Sequence, residues 1–196
     1  MASKKAKPIL YRRKREGRTN YKKRLRLLLS GKPRLVLRIS NTKICAQIIK
    51  FDVKGDLVLL GVDSNILKNS GWLYSTKNLP AAYLTGLKVA QMAKGKFDSE
   101  GLVFDTGLRT PLQKGKVYAF LKGALDGGLN IAHGSEEKIF PVDEKISGKD
   151  IQDYANNLKQ ENVEKYQKKF AANLKKGADP TQMVTNFEKV KTVLMK

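Results

Sequence analysis

Residues 11 to 34 read YRRKREGRTNYKKRLRLLLSGKPR. Residues 1–34 hold fourteen lysines and arginines against Glu16 alone, and seven of the nine arginines in the chain. The chemistry of such a stretch is anion recognition. A guanidinium bonds a phosphate at two points and stacks on a base, whereas an ammonium acts as a mobile point charge. Tyr11 and Tyr21, set among these cations, suit stacking on unpaired bases. Unbalanced like charges repel, so the pattern implies a polyanion outside the chain. A merely solvated face is the alternative, but charge runs of that kind usually carry their own carboxylates.

Other chemistries are poorly supplied. The chain has one histidine, His133, and one cysteine, Cys45. A zinc site built from Cys and His pairs needs four such ligands, so it is excluded. Cys45 falls within an expected strand with no activating neighbour and reads as an inert buried thiol. It cannot form an intramolecular disulfide and fits a reducing compartment. His133, in Ile-Ala-His-Gly, reads as a solvated or hydrogen-bonded loop histidine. Gly115-Lys116 is followed by Val117 and lacks the spacing of a phosphate loop, and no G-x-G-x-x-G follows a strand. Asp105 ends an expected strand, where α/β enzymes place functional groups, but a lone aspartate more often caps a helix or a turn. No carboxylate cluster for a metal-dependent nuclease is evident. The expectation is a protein with no catalytic residues, no metal and no cofactor.

The whole chain bounds the partner further. It has 196 residues, 41% of them hydrophobic, and a formal net charge of +21. That length supports one globular domain with a core, plus extensions. No stretch approaches the roughly 18 apolar residues of a membrane span. Leu27-Leu28-Leu29 is too short for the apolar region of a signal peptide. Attachment of a basic leucine helix to an anionic bilayer is the second reading. The arginines precede the leucines rather than facing them, and no Trp or Phe anchors that helix. The reading therefore has no membrane partner, with the cytoplasm as location. A nuclear-import reading of Arg12-Arg13-Lys14-Arg15 stays open on motif alone.

The elements that must position these cations follow from periodicity. Residues 1 to 16 have almost nothing to bury and are expected to be disordered in the free protein. Thr19 or Asn20 caps a short helix through Leu29, stopped by Gly31 and Pro33. Tyr21, Leu25, Leu28 and Leu29 are expected to dock it on the core, with Lys22, Lys23, Arg24 and Arg26 facing outward. The period then changes to two: Leu35 to Ser40, Ile44 to Ile49 and Leu57 to Val62 read as an antiparallel meander. Asn78 and Pro80 open a helix through about Lys94. Leu102 to Phe104 is a short strand, and Leu112 to Leu125 a second helix. The order βββαβα predicts an α/β fold with one mixed sheet flanked by helices. After a loop at 130 to 147, one helical pattern runs from Ile151 to Leu174 and another from Val184 to Leu194. Three parts result: a basic arm and short helix (1–33), a mixed α/β core (34–147) and a C-terminal helical extension (148–196).

At the level of motif the residues become specific. Residues 11 to 25, followed by Leu28 to Val36, closely resemble the 5S-rRNA-binding family of the large ribosomal subunit, the eighteenth of the large-subunit series, in its archaeal form. The likeness continues through Ser40-Asn41, Ala46 to Ile49, Asn78 to Gly86, Leu121 to Ala124 and His133-Gly134. It runs from about residue 9 to about residue 155 and is weakest over the last 40 residues. The resemblance implies a βββαβα fold related to the ribonuclease-H-like core, without catalytic carboxylates. It implies attachment of 5S rRNA to 23S rRNA in the central protuberance, beside neighbouring large-subunit ribosomal proteins. RNA rather than DNA, and 5S in particular, come from the resemblance and not from composition.

Arg12, Arg13, Arg15, Arg18, Lys22, Arg24 and Arg34 are expected to meet rRNA phosphates, and Lys14, Lys23, Arg26 and Lys32 to bind RNA beside them. Tyr21 is expected to stack or pack. Arg38, Ser40 and Asn41, at the end of the first strand and its turn, are candidates from the folded domain. Asn41 reads equally well as a plain turn residue. The arm is expected to order as it inserts between RNA helices.

Overall fold

The computed structural model describes residues 9–97 and 101–195. Alternating apolar residues after Pro33 build β1 (Arg34–Ile39), β2 (Ile44–Lys50) and β3 (Leu57–Asp63). The first turn is closed by Ser40, whose Oγ accepts from the Thr42 and Lys43 amides and donates to the Lys43 carbonyl. The second is closed at Gly55, whose amide donates to the Asp52 carbonyl. A fourth strand, β4 (Val103–Asp105), joins β1 in parallel, and the sheet order is β3-β2-β1-β4. The architecture is mixed α/β, in the element order that the sequence predicts.

Two helices cover one face of the sheet. α3 (Leu79–Ala93) is capped by the Asn78 side chain, which accepts from the Ala81 amide, with Pro80 in its first turn. α4 (Lys116–Asp126) starts four residues later than expected. Residues 112–115 form a turn instead, with Lys114 at φ 56° and the Gly115 amide donating to the Leu112 carbonyl. Leu35 and Leu37 of β1, Ile44, Ala46 and Ile48 of β2, and Val62 of β3 pack beneath these helices around Phe120. Gly86 and Gly123 allow close helix contact. A methyl on Gly86 would overlap the Phe120 carbonyl, and one on Gly123 the Tyr83 carbonyl.

The far side of α3 belongs to a second core. Tyr83, Leu84 and Leu87 meet Trp72 and Tyr74 on one side and Met183, Phe187, Val190 and Leu194 on the other. Those last four lie on α9 (Met183–Met195). The single pattern expected over Ile151 to Leu174 is two helices, α7 (Lys149–Glu161) and α8 (Val163–Leu174). Asn162 breaks it with an extended backbone, and its side chain caps α8 by accepting from the Lys165 amide. The loop expected at 130 to 147 contains α5 (Glu136–Ile139) and α6 (Asp143–Ser147). Burial and the hydrogen bond to Asp126 push the Tyr83 phenol well above its usual range. Burial and the bond to Asp179 likewise push Tyr166 up to about 12.

At the N-terminus, residues 12–15 depart from the expected disorder. α1 (Arg12–Arg15) is one helical turn, held by an ion pair from Arg12 to Glu16 and a hydrogen bond from Arg13 Nε to Thr19 Oγ1. Residues 1–8 of the expected disordered stretch lie outside the described residues. α2 (Tyr21–Leu28) is capped by Asn20, whose side chain accepts from the Lys23 amide.

Candidate nucleic-acid interface

Strand register sets up the interface. Val36 lies opposite Asp105 in the parallel β1/β4 pair. Residues two apart share a face, so Arg34 and Arg38 flank Asp105 on the side of the sheet away from α3 and α4. Arg34 is 3% exposed, and its guanidinium bridges Asp105 at 3.2 Å and Asp56 at 2.7 Å. Arg38 donates to the Leu37 and Asp105 carbonyls at 2.8 and 3.0 Å. Asp105 also accepts from the Gly107 amide at 2.7 Å, which shapes the loop after β4.

α2 is pinned to this charged face by its cations. Arg24 forks onto both oxygens of Asp56, at 2.9 and 3.0 Å. Lys23 donates to Thr106 Oγ1 and to the Gly107 carbonyl, at 3.1 and 2.8 Å. Burial raises the Asp56 carboxyl, but hydrogen bonds from Arg24 and Arg34 outweigh it and hold the group below the usual carboxylate range. The expected facing of α2 is therefore corrected. Leu25 is 62% and Leu29 77% exposed, whereas Lys23 and Arg24 turn inward. A carboxylate within reach fixes a guanidinium more firmly than one turn of helix fixes a leucine at a charged surface.

The rest of the basic stretch faces outward. Arg12, Arg13, Lys14, Arg15 and Arg18 are exposed, as are Lys22, Arg26 and Lys32. Glu16 pairs with both Arg12 and Arg18 at 3.0 and 3.2 Å, in the open. Such exposed pairs are weak and exchange readily for a phosphate. Tyr21 lies at the edge of exposure, its ring 5.5 Å from that of Tyr11. Ser40 and Asn41 sit exposed at the β1/β2 turn, with Ser40 committed to that turn. Of the sequence-nominated residues, Arg34 is buried, Lys23 and Arg24 are half-buried, and all three, like Arg38, are also bonded within the protein.

Elsewhere the nominated chemistry is plain. His133 is bonded through Nδ1 to the Ile131 carbonyl, with its ring against Phe140. Cys45 is half-buried rather than fully buried. No helix among the described residues is long and apolar enough to cross a membrane.

A basic arm on a βββαβα sheet is the arrangement on which comparison with known families bears. The family model for ribosomal large subunit proteins 60S L5, and 50S L18 matches residues 6–103. The chain belongs to this family. The match takes in residues 11–34, with α1, α2, the first three strands and α3, so the arginine-rich segment lies within the family's own region. The L5/L18 family supplies a structural part of the large ribosomal subunit, which places the chain on the cytoplasmic ribosome, among rRNA and ribosomal proteins.

Sequence reasoning missed the acidic half of the interface. Asp56, just before the Leu57 to Val62 strand, carried no signal, and Asp105 read as a turn or cap. Asp105 does shape a turn, but it also receives Arg34 from 71 residues away. The only signal available was an arginine at the start of a strand that otherwise reads as core. Arg109, exposed on the loop after β4, carried no signal at all.

Proposed function

We propose that this L5/L18-family chain attaches 5S rRNA to 23S rRNA in the large subunit, as a scaffold without catalysis. The observation that carries the reading is the division of labour in residues 12–34. The inner cations Lys23, Arg24 and Arg34 fasten the arm to the sheet, and the outer cations Arg12, Arg13, Lys14, Arg15, Arg18, Lys22, Arg26 and Lys32 stay presented to solvent. An anchored segment that displays guanidiniums suits phosphates on two RNA strands at once. Tyr21, Arg38, Ser40 and Asn41 supply the edge of the same surface. Specificity comes from RNA shape, 2′-hydroxyls and unpaired bases rather than from duplex sequence. α8 carries a separate group of exposed lysines, Lys165, Lys168 and Lys169.

The test is a filter-binding titration against 5S rRNA, with a transfer RNA and a DNA duplex of similar size as competitors. Binding that survives both competitors at near-physiological salt supports the reading. Equal affinity for all three, lost together as salt rises, means only that a charge of +21 attracts polyanions, and overturns it.

A further inference from the structure

Between α2, β1 and the loop after β4 lies a cleft of about 760 Å³. Its composition is mixed in a particular way. Buried Val36 and Ile49 of the sheet line it, together with Arg18, Arg38, Arg109 and Tyr21. Arg34 also lines it, as do Asp56 and Asp105, whose charges its guanidinium offsets by bridging the two.

The chemistry narrows the occupant. A bare cationic surface would take any phosphate backbone, and an apolar groove would take a side chain or lipid tail. Here an apolar floor lies under guanidiniums and beside a tyrosine, which matches a planar base joined to a phosphate. The volume falls in the range of small-ligand sites and is too confined for a duplex. Unpaired RNA bases are read in this way, splayed from the stack onto aromatic or guanidinium planes.

We propose that the cleft receives one unstacked RNA nucleotide. The base lies on Val36 and Ile49 beside Tyr21, and its phosphate meets Arg18 and Arg109. This rests on the rRNA-binding reading above and adds a seat for a single base to a surface otherwise read as phosphate-binding.

Three RNA hairpins test it with the full-length chain: fully paired, with one bulged adenosine, and with an abasic residue at the bulge. The abasic hairpin keeps the phosphate and the flexible backbone but lacks the base. The expected result is that the adenosine bulge binds about tenfold tighter than the abasic one, in line with the stacking of one base. Leu27 of α2 also lines the cleft, so Arg109→Ala and the narrowing Leu27→Trp should each reduce that ratio toward one. 2-Aminopurine at the bulge should change in fluorescence on binding to the unaltered chain and much less with either variant. Equal affinity for the adenosine and abasic bulges, with RNA binding intact, overturns the nucleotide seat alone. No binding to any of the three hairpins while 5S rRNA still binds also overturns the seat, whereas no binding to 5S rRNA either overturns the rRNA-binding reading with it.

Discussion

Arg12 and Arg34 belong to one basic stretch, yet Arg12 reaches into solvent and Arg34 is shut between Asp56 and Asp105. The difference is positional. Arg34 opens a strand whose neighbour on the same face carries a carboxylate, whereas Arg12 sits on one isolated helical turn. Removing one partner of a buried ion pair strands the other, at a cost of about 3–5 kcal/mol. Arg34→Met should therefore lower stability in urea by about that much, and Asp105→Asn should do so without abolishing any catalysis. If Arg34→Met instead weakens RNA binding with the urea midpoint unchanged, Arg34 is a phosphate ligand after all. Asp56 adds a pH dependence. Its folded value is depressed, so its contribution is complete above the unfolded value of about 4 and is lost as pH falls through the lower folded one. The urea midpoint should stay level from neutral pH to about 5 and fall below about 4, more gently in Asp56→Asn. At this scale the sequence disclosed the cations and not their uses. Charge type is visible in a list of residues, but a partner 71 positions away is not.

Elements were more legible where a period and a cap agreed. α3 has both Asn78 and Pro80 at its start, and α2 has Asn20. The reading failed where tertiary contacts override local pattern. Leu25 and Leu29 have helical spacing, yet α2 turns by its ion pairs and leaves them exposed. The apolar spacing from Ile151 to Leu174 runs on across Asn162, so the break showed only in the backbone. The approach of α3 to α4 was also hidden, because Gly86 and Gly123 look like ordinary helix-weakening residues until the two helices are brought together. Gly123→Ala improves local helix propensity but forces the helices apart, and overpacking of this kind costs about 1–3 kcal/mol. A lower melting temperature for Gly123→Ala is expected, with the exposed-site change Lys116→Ala as reference. A higher one would mean that the helices are not in contact at that point.

Across the whole molecule, α3 is the shared wall of two cores. One is formed with the sheet and α4, the other with α9 and the segment around Trp72. We propose that the boundary at 147 divides stretches of chain rather than independent folding units, since Phe187 and Val190 close the second core over Tyr83. The boundary in the arm is likewise better placed after residue 18 than at 33. Deleting residues 1–18 should leave the melting temperature nearly unchanged and weaken RNA binding. Deleting through residue 26 also removes Lys23 and Arg24 from the sheet and should lower stability further. The sequence showed this arm as one block because net charge is a property of composition, whereas anchoring depends on which face of α2 finds Asp56.

The central claim is that the outward guanidiniums neutralise rRNA phosphates. It is tested most directly by the salt dependence of 5S rRNA affinity. Each neutralised phosphate contributes roughly 0.7 to 0.9 to the slope of log affinity against log salt. The unaltered chain should show a slope of magnitude roughly 4 to 5, for about six phosphates. Replacing Arg12, Arg13, Arg15 and Arg18 together by alanine should reduce that slope by about 3 while the protein stays folded. A slope unchanged by the four substitutions would contradict the account, because the phosphates would then be held elsewhere on the molecule.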